Sequence, residues 1–360
     1  MFSGRDIRAR RHELGLDIAT TARAAGVSEN VWNAIERDGL QTLGEAADVA
    51  RALALDLDEV LRDAPTASSA QRVARFRDAD CGGRLSGSDV RKVEVAVRLA
   101  RVGEALWQGL GRGESWIRRE RTVAALHRRI PAWKHGYALG IAARRRAPHR
   151  QQSPIANVEQ LLVDMGIHVA RLNFDGDFDA LSVVEPDALP LVLLNTRKAR
   201  VRQHLARRAT LAHELCHLLH DGGVVDLMAS VSYSALDTDI ESRARGFAPS
   251  FLAPGPFVRL EAEAPSARVA ELARTWGLSG DAARWHAKNL QLLSARQAEA
   301  LEPPTIASAG WEEATAEPPW TRAGVAPSPL ASGLVAGLAV EAWQRDQISR
   351  GRLDEIVATA

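Results

Sequence analysis

The sequence predicts an α+β protein: a helical N-terminal half, then a domain in which a small, mainly antiparallel sheet packs against a helix carrying a polar stripe. Three observations predict it. Apolar residues recur at helical spacing through residues 5–63 and again through 85–147. Past Pro154, three short runs rich in Val, Leu and Ile, separated by Asp, Gly and Pro, read as strands. Directly after them, a helical stretch over 206–219 holds two histidines four residues apart.

In chain order, residues 5–14 and 18–25 form the first two helices, and Ser28 caps a third that runs to about residue 37. Gly26 occupies the tight connection between the second and third. Residues 43–62 add two more helices, and Ile7, Leu14, Ala22, Val27, Val31 and Ile35 supply the apolar face. Within 85–147, Val93, Val97, Ala100, Leu106 and Leu110 mark one helical face. Residues 157–165 read as a helix, and 167–174, 180–184 and 189–194 as strands. The helix over 206–219 is closed by Gly222-Gly223. Residues 268–292 carry a helix-turn-helix rhythm, read as packing against neighbouring helices.

The boundaries follow composition. Residues 1–63 form a first domain, 64–75 a linker, 76–150 a basic helical segment and 151–300 the α+β domain. Residues 301–328 form a Pro-rich tether and 329–360 a C-terminal helix. The overall net charge of +1 hides net charges of −4 over 1–63, +12 over 71–150 and −7 over 151–360. The basic segment, densest at Arg144-Arg145-Arg146, reads as solvated helix faces ahead of a nucleic-acid surface. Two cysteines in 360 residues exclude a disulfide scaffold and any zinc site built on several thiolates. The Arg-rich start lacks the apolar stretch of a secretory signal, and the run over 330–340 is too short to span a membrane. A cytoplasmic location is expected.

His213-Glu214-Leu215-Cys216-His217 is an HExxH motif. Positions i and i+4 share a helix face, so both imidazoles can reach one metal ion, with Glu214 beside a water in an open coordination position. With 10 His and 23 Glu in the chain, chance would produce the motif roughly 0.02 times. Zinc chemistry also needs a third protein ligand. His220 lies about 10 Å along the axis from His213, too far to share the ion. Glu241 opens a second helical pattern over 241–248 and is preferred, although on spacing alone Asp237 and Asp239 compete.

Residues 210–219 resemble the zinc motif of the ImmA/IrrE family of metallopeptidases. A following Glu-x-x-Ala-x-x-Phe-Ala segment is matched by Glu241, Ala244, Phe247, Ala248, Phe251, Leu252 and Pro254. Pro154-Ile155, Leu161, Gly166-Ile167-His168-Val169 and Leu193-Leu194-Asn195 stand where that family has its small sheet. The resemblance covers roughly residues 130–300. It implies a zincin-like peptidase domain, Zn2+ held by His213, His217 and Glu241 as a gluzincin-like set, and Glu214 as general base. It also implies a protein substrate, a repressor or regulator cut at a limited site. Departures are Cys216 where a small residue is commoner, read as buried filling; Arg245 where Asp or Asn is frequent; and Pro249, expected to end or kink its helix. Tyr233, His204 and His220 remain open as donors to a developing oxyanion. The 191–195 strand is a candidate for pairing with an extended substrate.

Residues 4–62, through Gly15-Leu16-Asp17-Ile18, Gly26-Val27-Ser28 and Ile35-Glu36, resemble the XRE family of helix-turn-helix proteins. The resemblance implies a recognition helix over 28–36 that offers Ser28, Glu29, Asn30, Trp32 and Asn33 to DNA bases. A module of net charge −4 must draw its phosphate contacts from Arg5, Arg8, Arg10, Arg11, Arg23 or the basic segment. The alternative is a protein-docking module. For the whole chain, the alternative to a peptidase is a non-proteolytic regulator whose peptidase-like domain senses or scaffolds. Expected partners are a protein substrate and DNA, with no membrane, and the chain is open to homodimer formation.

Overall fold

A computed structural model describes residues 2–55, 57–61, 85–125, 129–185, 187–221, 230–231, 238–307, 311 and 319–359. The 64–75 linker, Cys81, Gly222-Gly223, Tyr233, Asp237 and part of the 301–328 tether lie outside the described residues.

Five helices open the chain: α1 (Gly4–Glu13), α2 (Ile18–Ala25), α3 (Glu29–Asp38), α4 (Leu43–Ala52) and α5 (Leu57–Leu61). Their starts follow capping chemistry. Ser3 and Asp6 make a reciprocal capping box, as do Thr42 and Glu45, while Asp17 and Ser28 each accept a first-turn amide. Gly26 takes φ +77° between α2 and α3, a left-handed turn that favours glycine. Ile7, Leu14, Ala22, Ile35 and Val49 fill the interior. Trp32 joins them at 0 % exposure, its Nε1 donating to Glu36 at 2.7 Å. This corrects the expectation for that residue: an indole inside the core cannot touch DNA bases. Glu36 also accepts from Arg11 at 2.6 Å. Burial works to raise the Glu36 pKa, but Arg11 and Trp32 outweigh it and hold the carboxylate below its ordinary value.

The basic segment is not a unit of its own. Helix α6 (Gly87–Gly109) seats against the first module, where Arg91 donates to the Ala52 carbonyl at 2.7 Å and buried Arg10 meets buried Glu94 at 3.8 Å. Two short steps later, past α7 (Trp116–Glu120), helix α8 (Ala132–Arg146) belongs to a different core. Arg144, in the densest basic cluster, is fully buried and donates to the Arg150 and Ser153 carbonyls, and burial lowers its pKa to about 10.

After α9 (Val158–Asp164) come β1 (His168–Leu172), β2 (Ala180–Val183) and β3 (Leu191–Asn195), with β4 (Ser230–Val231) added later. The order is β1-β3-β2-β4, and β1 runs parallel to β3 with His168 opposite Leu191. The other two pairings are antiparallel, so the sheet is mixed, antiparallel at two seams as expected and parallel at the β1–β3 seam. One face, with Ala170, Leu181, Val183, Leu191 and Leu193, packs into the core shared by the first module and α6. The other face, with Val169, Ala180, Val192 and Leu194, packs on the helices of the second core. Burial on both faces explains why these strands are continuous apolar runs.

The second core holds α10 (Ala199–Arg202), α11 (His204–His220), α12 (Thr238–Leu252), α13 (Pro265–Trp276), α14 (Gly280–Asn289) and α15 (Ala295–Ala300). Helix α12 continues through Pro249 to Leu252, against expectation, and the Pro249 carbonyl accepts from the Ala253 amide at 2.9 Å. A proline this close to the C-terminal end sacrifices a single intrahelical bond. Helices α8 and α12 approach almost backbone to backbone, since a Cβ on Gly136 would overlap the Arg243 carbonyl and one on Gly246 the Trp133 carbonyl. Of the expected tether, Trp311 stacks on Arg208 at 4.6 Å and donates to the Arg274 carbonyl. The tether also holds the short α16 (Pro319–Arg322), and residues 329–360 hold two helices, α17 (Leu334–Gln344) and α18 (Arg350–Ala358), rather than one. Helix α17 packs on α6 in the first core. Among the described residues, no helix is long and apolar enough to cross a membrane.

His168 ties the sheet to this C-terminal segment. It is fully buried, its Nε2 donates to the Leu330 carbonyl at 2.8 Å, and burial pushes its pKa down to about 4. The unfolded chain binds this proton near pH 6.5 and the folded chain does not. The stability gained is therefore whole above pH 6.5 and falls as pH drops toward 4. Urea unfolding at pH 7.5 and 4.5 should show His168→Gln losing about 2–3 kcal/mol of that difference. An unchanged difference would refute a neutral buried imidazole.

Candidate metal centre

Helix α11 lies between the sheet and α12, and its residues from Thr210 to His220 are all buried. Leu211, Leu215 and Leu218 anchor it in the second core, which turns the His213 and His217 stripe toward α12. Glu241 stands in the first turn of α12 and meets both rings. Its carboxylate lies 3.3 Å from His213 Nε2 and 3.4 Å from His217 Nε2, and the two Nε2 atoms are 3.0 Å apart. One ligand atom from each residue fits within a 4.8 Å span, and no other such group occurs among the described residues. Burial opposes ionisation of Glu241, but the two imidazoles dominate and hold it well below the usual carboxylate range. Two imidazole nitrogens and one carboxylate, convergent and nearly dry, form a donor set that suits zinc.

The support behind these groups comes from residues the sequence did not single out. Asp221 accepts from His217 Nδ1 at 2.7 Å, which leaves Nε2 bare and pointed at Glu241. Arg243 pairs with Asp221 and also donates to the Ala124 carbonyl. Asp221 follows His217 by four residues, a helical spacing that could have revealed it. Arg243 had no local signal. Arg245, where a departure from the family pattern was noted, is exposed at the mouth of the cleft.

Glu214 is fully buried. Ser182 on β2 donates its hydroxyl to the Glu214 carboxylate. Cys216 is buried filling, its thiol pushed up by desolvation. His220 faces away from the triad. It bonds the Thr122 carbonyl at 3.0 Å and packs on Phe247, and burial lowers its pKa to about 4. His204 stands at the start of α11, 2.9 Å from Arg207. Strand β3 has a hydrogen-bonded neighbour on each side and cannot add a substrate strand, which corrects the pairing expected for 191–195.

A cleft of about 240 Å³ opens over His213 and Glu241. Its far wall comes from α8 and α14, as Tyr137, Trp285, His286 and Asn289, with Leu252 and Leu278 between. Sequence reading missed this wall, because nothing local joins residue 137 to residues 285–289. In the first module, Ser28, Glu29, Asn30 and Asn33 are exposed on or beside α3.

Residues 163–285, about a third of the chain, match the peptidase M78 family model, described as an IrrE N-terminal-like domain. The match spans the sheet, the HExxH helix and Glu241, and supports the ImmA/IrrE family for this domain. No curated protein and no solved structure matches the chain.

Proposed function

We propose that this chain is a zinc-dependent endopeptidase joined to a DNA-reading module, and that it cuts a specific repressor or regulator protein. One observation carries the reading: His213, His217 and Glu241, from two helices, converge beside an open cleft within a peptidase-like domain. Zinc held by these three would polarise a peptide carbonyl and acidify water at neutral pH. Glu214 would take the proton from the attacking water and deliver it to the departing amine. Ser182 would hold that carboxylate in place, and Asp221 would fix the His217 tautomer.

DNA reading is supported by the exposed Ser28, Asn30 and Asn33 on a capped α3. A second reading, a sensor that hydrolyses nothing, draws on the complete burial of Glu214 beneath Ser182.

Metal analysis of the purified protein should find about one zinc per chain. Incubation with candidate regulators, beginning with the products of neighbouring genes, should give for one of them a single cut that a chelator stops and zinc restores. Bound zinc without cleavage of any regulator would favour the sensor. For DNA, the full chain is the reagent, because α6 completes the core of the first module. Retardation of operator DNA should fall steeply with salt, and Asn33→Ala should weaken it about tenfold or more at the contacted base. Absence of retardation at low salt would favour a docking module.

A further inference from the structure

We propose that Asn289 receives the peptide backbone of the substrate, its amide held in one orientation by Tyr137 and His286; the proposal rests on the metal-centre reading above. The orientation follows from counting protons. His286 Nε2 lies 2.7 Å from the Ala253 carbonyl, which can only accept, so Nε2 carries the hydrogen. The buried ring is neutral, its pKa lowered to about 4 by desolvation, and Nδ1 is therefore an acceptor. Tyr137 Oη sits 2.7 Å from that Nδ1 and must donate its single proton there. Its oxygen is left as an acceptor, filled by Asn289 Nδ2 at 3.0 Å. The chain of donors runs one way, from Asn289 through Tyr137 and His286 to Ala253.

This fixes which end of the Asn289 amide faces Tyr137. Among the described residues, no protein group bonds Oδ1 or the second amide hydrogen of Asn289. Asn289 is half-buried and lines the same cleft as His213 and Glu241. An adjacent donor and acceptor on one planar group complement an extended peptide, in which the N–H and C=O of a single residue point to the same edge. The same proton count removes Tyr137 as a donor to a developing oxyanion, since its hydrogen is committed to His286. Tyr137 and His286 are positioning residues; Asn289 is the contact.

The test uses zinc-loaded full-length protein and calorimetric titration with three chelating probes. One is acetohydroxamate. The other two carry the same hydroxamate head extended by two peptide groups, on one side or the other. At least one extended probe should bind the wild type more tightly than acetohydroxamate. Asn289→Ala should weaken that probe about tenfold, as loss of one or two hydrogen bonds implies, and leave acetohydroxamate unchanged. Tyr137→Phe keeps the ring but frees the amide, and should give a smaller loss confined to the same probe. Zinc content and melting temperature check that each variant is folded. The proposal fails if Asn289→Ala spares both extended probes or weakens all three alike. If acetohydroxamate does not bind the zinc-loaded wild type, the metal-centre reading fails first.

Discussion

If the chain is the zinc peptidase proposed above, Glu214→Gln should bind zinc as the wild type does and lose hydrolysis by about 10²–10⁴-fold, the range that a positioned proton carrier contributes. The substitution preserves shape and an acceptor for the Ser182 hydroxyl, so α11 should pack as before. What disappears is the capacity to take a proton. His213→Ala should behave differently, because one of three converging ligand atoms is gone and the zinc goes with it. Metal content together with cleavage of the physiological substrate separates the two variants. A Glu214→Gln protein that cleaves at the wild-type rate would rule out the general-base role of Glu214.

Arg243→Met carries the second large effect, this time on the fold as well as the centre. Arg243 and Asp221 are both fully buried and paired. Removing the guanidinium leaves a carboxylate without its counter-charge in the second core, which costs about 3–5 kcal/mol. Asp221 would then hold His217 less firmly, and metal affinity should drop about 10–100-fold, as for other supports of metal-bound histidines. Thermal unfolding and chelator competition measure the two quantities. Arg245→Met, two residues on and exposed, should change stability by no more than about 0.5 kcal/mol. Equal behaviour of the two variants would show that the Asp221 pair does not support the centre.

Much of the fold was legible because its signals are local. Ser28, Asp17 and Asn157 cap the helices they precede, and Gly26 makes the left-handed turn its position demands. The HExxH pair was equally readable, since four residues on a helix place both imidazoles on one face. Trp32 was misplaced because a helix of ten residues has both an inner and an outer side, and a single residue shift separates reader from core. In the basic segment the solvated-face reading fits Arg145 and Arg146, which are exposed, but not Arg144, which spends its charge on backbone carbonyls inside the protein.

By itself, the sequence determined the helices, the strands and the two histidines with their neighbouring glutamate, because each depends on residues within one or two turns. Tertiary structure alone decided that α6 and α17 share a core with the first module, that Asp221 answers to Arg243, and that Tyr137 meets Asn289 on the far wall of the cleft. Those pairings join residues far apart in the chain. The approach of α8 to α12 is likewise non-local: glycines at 136, 140 and 246 let the two helices come within backbone reach, an approach set by packing rather than by local propensity.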